Sequence, residues 1–203
     1  VATAFRRKGG RLVGKLEPEE LEVVLELLRL TRGFVAPEEP SAGEPGAGQE
    51  GESLRELVAG LGDEGPVPEP EDPALRRLLP PAHRDDPEQA ADFRRLTQHS
   101  LRSRKAATLA TAVAALEEAD PPVVSLDEGQ AHALVVGLTD VRLVLGERLG
   151  LETDEDAERL HEMLQEVLAG REPADVDPHL VQQAASYDFL TWLQETLTSA
   201  LLR

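Results

Sequence analysis

A mainly α-helical bundle with a short N-terminal β-hairpin and a disordered acidic linker is the fold this sequence predicts, and three observations predict it. Asp-Pro pairs recur at 72–73, 86–87 and 177–178, each placing an N-cap carboxylate before a first-turn proline. Hydrophobic residues make up 40% of the chain but aromatics only 3%, so the core must come from Leu, Val and Ala, which pack readily between helices. Gly9-Gly10 separates two short arms, and such a pair tolerates the positive φ angles of a tight hairpin turn.

The elements follow in order. Arms 2–7 and 11–16 form the hairpin, with Leu12, Gly14 and Leu16 alternating against Arg11, Val13 and Lys15. Pro18 opens a helix to about Arg32, closed by Gly33, with Leu21, Val24, Leu25 and Leu28 as its buried stripe. Residues 36–73 hold seven prolines, seven glycines and eleven acids against one Arg, a composition with little capacity to bury a core. Within them Ser53 and Glu56 form a capping box ahead of Leu57 and Leu61, which predicts one helical island over Ser53–Leu61. Further helices are expected near 73–79, 87–119, 126–149, 154–169 and 177–202, the third of these from a Ser125/Glu128 box. Pro80-Pro81, Pro121-Pro122, Gly150 and Gly170 supply the stops. The domain organisation expected is therefore 1–35 as hairpin plus helix, 36–72 as linker, and 73–203 as a helical domain packing with the N-terminal segment.

Charge is distributed unevenly. The net charge is −18, which argues against general nucleic-acid binding. Yet Arg6, Arg7, Lys8, Arg11 and Lys15 stand in residues 1–16 without an acid, and Arg94, Arg95, Arg102, Arg104 and Lys105 stand in 93–116 without one. The remainder holds 11 basic residues against 39 acidic ones. No run approaches the ~20 apolar residues of a membrane span and no charged-then-apolar leader stands at the start, so cytoplasm is the expected location.

Catalytic machinery is not legible. The chain has no cysteine, which removes thiolate nucleophiles, disulfides and cysteine-rich metal sites together. His161-Glu162 begins like a zinc-protease motif, but position 165 is Gln where the second histidine would be needed. Phosphate loops and serine elbows are missing, and carboxylates are too numerous to single out a pair. The expectation is a protein that is not an enzyme, with no catalytic residue, metal or cofactor.

Binding is the better prospect. At 100° per residue Arg94, Gln98, Arg102 and Lys105 fall within about 80° of one another on one helix. Such a basic stripe is either neutralised by the protein's own acid and by solvent, or is a docking face for a partner or for nucleic-acid backbone. With Arg95, Arg104 and Trp192 it makes up the candidate partner-binding set. Trp192 belongs to a second apolar stripe on the last helix, a face that a homodimer would cover. Arg142 borders the apolar seam Leu134, Leu138, Val141 and Leu145 and needs a carboxylate, for which Asp188 is the candidate structural partner.

Several blocks also occur in a familiar order: Asp72-Pro73-Ala74-Leu75, Phe93-Arg94-Arg95-Leu96-Thr97, Leu138-Thr139-Asp140-Val141-Arg142-Leu143 and Tyr187-Asp188-Phe189-Leu190-Thr191-Trp192. Together they resemble an actinobacterial domain-of-unknown-function family that includes the oxidative-stress transcriptional regulator AosR. The resemblance implies a transcription-associated protein that contacts an extracytoplasmic-function sigma factor or RNA polymerase, and touches DNA only indirectly or weakly. In that regulator a disulfide promotes the association, and this chain has no cysteine with which to form one. Thr139 and Glu147 depart as well, standing where the family usually has Asn and Thr. The alternative expectation is a non-catalytic adaptor or scaffold, for example one linked to protein turnover.

Overall fold

The computed structural model describes residues 2–37, 67–82, 85–170 and 177–203. The helical island expected over Ser53–Leu61, and the disorder expected over most of the linker, lie outside them. Two strands, β1 (Thr3–Lys8) and β2 (Arg11–Lys15), form the hairpin. Gly9 and Gly10 turn it with φ of 58° and 78°, angles that a side chain would strain. Helix α1 (Pro18–Val35) follows, then α2 (Pro73–Leu78), α3 (Pro87–Glu117), strand β3 (Val123–Leu126), α4 (Glu128–Arg148), α5 (Asp154–Leu168) and α6 (Pro178–Leu201).

Two boundaries depart from expectation. Strand β3 falls where only a helix start was read, and it pairs antiparallel with β2, Leu12 opposite Leu126 and Gly14 opposite Val124, to give the sheet order β1-β2-β3. Ser125 is thus a strand residue, and its Oγ accepts from Arg11 Nε at 2.8 Å. The capping box shifts to Asp127 and Gln130, each side chain accepting from the other's backbone N–H at 2.8 and 2.9 Å. The second departure is α1, which runs through Gly33 to Val35. Helical Gly costs about 1 kcal/mol against Ala, a loss offset by full burial of Val35.

Leucine builds the core. Among the described residues the twelve largest fully buried side chains are all Leu, drawn from β2 and the residue after it, β3 and every helix except α5. At about 1.5–3 kcal/mol for each such side chain, they supply the main cohesive term. Helices α1, α3 and α4 meet at Gly137, where a Cβ would lie 3.0 Å from Leu28 Cδ2 and 3.3 Å from Leu109 Cδ2. The inner face of the sheet (Phe5, Leu12, Val124 and Leu126), with Leu16 just beyond β2, joins the same core, so hairpin and bundle share one interior. Among the described residues no helix is long and apolar enough to cross a membrane.

Candidate functional site

Two regions arise from the residues that the sequence singles out, and a third from the fold. The first is the basic stripe of α3, which the structure turns inward. Lys105 Nζ lies 2.6 Å from Asp140 Oδ1, and the Asp140 side chain is only 3% exposed. Arg102 Nη1 donates to the Ala36 carbonyl at 3.2 Å, while its Nε is buried without an acceptor. Arg94 Nε reaches the Val67 carbonyl at 3.4 Å, and Gln98 Oε1 is buried without a donor. The stripe therefore holds the backbone on either side of 38–66 and one carboxylate of α4. It is not an open docking face. Of the remaining basic candidates, Arg95 sits 3.8 Å from Asp92 on its own helix, and Arg104 is exposed. Trp192 is half-buried against the core, its ring 6.0 Å from that of Phe189 at 23°.

The expected Arg142–Asp188 pair does not form. Arg142 Nη1 donates to Gln194 Oε1 at 2.5 Å, Nη2 to the Tyr187 hydroxyl at 3.4 Å, and the guanidinium stands 5.1 Å from the Tyr187 ring centre. Helical periodicity explains the exchange. Gln194 is seven residues beyond Tyr187 and shares its face, whereas Asp188 is rotated about 100° toward α5. There its Oδ1 meets His161 Nδ1 at 3.0 Å. Arg142 and Tyr187 also line a recess of 160 Å³ with Arg77, Thr139, Leu143, Gly146 and Leu151.

The second region is the outer face of the sheet. The pairings Lys8–Arg11 and Arg6–Val13 put Arg6, Lys8, Arg11 and Lys15 on the side away from the core, and all four are exposed. Arg11 is held by Ser125, with Nη2 on its carbonyl at 2.7 Å. Arg7 points the other way, to the Leu201 carbonyl at 3.3 Å and to Glu128 at 3.7 Å. No strand of this sheet contains an Asp or Glu.

A groove between α1, α4 and α6, of about 430 Å³, is the third region and escapes sequence reasoning. Leu27, Leu30 and Phe34 from α1 and Val141, Val144 and Leu145 from α4 form it, with His179, Gln182 and Gln183 of α6 and Arg148 along its rim. Among the described residues no carboxylate lines it. Leu30 is 61% exposed there, and Val23 on the same helical stripe is 41% exposed. The available signal was the spacing 23, 27, 30, 34, a second apolar stripe on α1 beside the buried one.

No curated protein and no solved structure matches the chain. A family model described as Domain of unknown function (DUF2017) matches residues 2–201, nearly the whole length, and the chain belongs to that family.

Proposed function

We propose that this protein is a non-catalytic, transcription-associated regulator that works by contact with an acidic protein surface, on a sigma factor or another part of RNA polymerase. In this reading it serves the oxidative-stress response as AosR does, without a cysteine switch of its own, and acts in the cytoplasm. The observation that carries the reading is the outer sheet face, where four exposed cations stand on acid-free strands of a chain whose net charge is −18. Such segregation steers an acidic partner to one face and repels it from the rest. Four cations are too few for tight duplex binding, and the face presents no aromatic ring on which single-stranded bases would stack. A protein partner is the better match. The purified protein should form a complex with sigma factor or polymerase that weakens with salt, and bring promoter DNA into it only when that partner is present. The triple change Arg6→Glu, Lys8→Glu, Lys15→Glu should abolish the complex at an unchanged melting temperature. Equal binding by the reversed protein, or no complex at low salt, would reject the proposal.

The groove favours a second reading, an adaptor that receives an amphipathic helix of a partner protein. Leu30→Asp would then remove capture of that partner while the charge reversal left it intact.

A further inference from the structure

We infer that the recess between α2, α4 and α6 is a binding site for a small oxyanion, centred on Arg142. Arg142 has two neutral acceptors, Gln194 and Tyr187, and its Nε is buried with none. Asp140, Glu147 and Asp188, the carboxylates beside it on α4 and α6, are already engaged, by Lys105, by Arg77 at 2.5 Å and by His161, while Glu158 and Glu162 of α5 line a separate hollow that Arg142 also borders and form no ion pair with it. Among the described residues no carboxylate thus forms an ion pair with this partly buried guanidinium, in a chain that carries 39 acidic residues.

The shape of the recess fits the missing anion. Its 160 Å³ is walled by Leu143 and Leu151, with Gly146 leaving part of the wall without a side chain. Its polar lining consists of Arg77, Arg142, Thr139 and Tyr187, and among the described residues no carboxylate enters it. Tyr187 accepts from Arg142, which leaves its own O–H free to donate. Arg77 uses Nε on Glu147 and Nη2 on the Leu151 carbonyl, which leaves Nη1. Two guanidiniums and a phenol O–H converging between apolar walls suit an acceptor with several oxygens, since a planar fork matches phosphate and carboxylate alike.

The chain contains one tyrosine, so 3-fluorotyrosine labelling gives a single ¹⁹F resonance at the site itself. Titration with inorganic phosphate, and separately with succinate, should move that resonance saturably, with half-saturation at about 1 mM for the better anion. The tighter of the two identifies a phosphate or a carboxylate as the natural group. Sodium chloride at matched ionic strength should produce no saturable shift. Arg142→Met should weaken binding at least tenfold, with folding checked by thermal melting. Gly146→Ala provides a variant that keeps the fold, because its Cβ would lie 3.8 Å from Tyr187 Cε2, in ordinary contact, while narrowing the recess. It should weaken binding several-fold. The proposal is overturned if neither anion gives a saturable shift, if chloride reproduces it, or if either folded variant binds as the parent does.

Discussion

Asp140 and Lys105 show how a single pair decides what a charged helix face is for. Asp140 is 2% exposed and its Oδ2 has no partner, so it depends on Lys105 for compensation. Breaking such a pair from one side leaves an unmatched charge, and Asp140→Ala is expected to cost about 3 kcal/mol in chemical denaturation. Lys105→Met combined with Asp140→Leu should recover most of that loss, and strictly additive losses in the double-mutant cycle would disprove the coupling. Gly14 is a second dependent position. A Cβ there would stand 2.9 Å from Phe5 Cγ, because the ring lies flat over the glycine of the neighbouring strand. Gly14→Ala should therefore destabilise by about 1–3 kcal/mol, the usual cost of overpacking. At this scale the sequence showed which residues needed partners but not which partners they found. Arg142 was expected to need a carboxylate, and it takes neutral acceptors instead, because one residue's rotation along α6 turns Asp188 to His161 and brings Gln194 in its place.

Helix starts were the most legible elements, because a cap is a local interaction. Asp72, Asp86 and Asp177 accept from Ala74, Gln89 and His179 backbone N–H groups at 2.8, 3.0 and 2.9 Å. Strand β3 was not legible, since four residues are too short for periodicity and its register is set by β2 more than 100 residues earlier. Helix α5 is the peripheral element. Leu164 is its one buried hydrophobic side chain among those described, and α6 is its main support through contacts that include His161–Asp188. Its first turn is held by Asp156, whose carboxyl lies below the ordinary aspartate value of 3.8, chiefly because it accepts from the Thr153 backbone N–H and then from the Thr153 hydroxyl. Asp72 lies below that value too, chiefly through its hydrogen bond from Arg148. A depressed carboxyl contributes stability that is fully present above the unfolded value and is lost as pH falls through the folded one. These two caps should thus act unchanged from neutral pH down to about 4 and fail below it. Hydrogen exchange should find α5 the least protected helix at pH 7. Exchange below pH 4 should show additional opening at the starts of α5 and α2, and an Asp156→Asn protein should show less further opening at α5 on the same acidification.

The whole molecule separates its charges, and that separation has opposite consequences for folding and for binding. The groove between α1, α4 and α6 sets α1 against helices more than 100 residues later, so the second apolar stripe of α1 was legible but not the walls that make it a groove. The acidity, by contrast, was plain from composition, and so was the basic hairpin that the fold lays flat as one sheet face. A net charge of −18 repels itself in the compact state, and added salt screens that repulsion with a Debye length of about 10 Å at 0.1 M. The internal pairs respond less: Lys105–Asp140 is largely buried, and exposed pairs such as Arg29–Glu117, at 2.6 Å, contribute at most about 1 kcal/mol each. Repulsion should dominate, and the melting temperature should rise between about 10 mM and about 500 mM sodium chloride, over which the Debye length falls from about 30 Å to a few Å. Over the same range a complex formed through Arg6, Lys8, Arg11 and Lys15 should weaken, because its attraction is screened while no apolar contact replaces it. Parallel salt titrations of stability and of partner binding separate the two effects. If stability falls with salt, the internal ion pairs outweigh the repulsion and the charge is better described as a network than as a surplus. If binding is indifferent to salt, the partner enters through the apolar groove instead of the sheet.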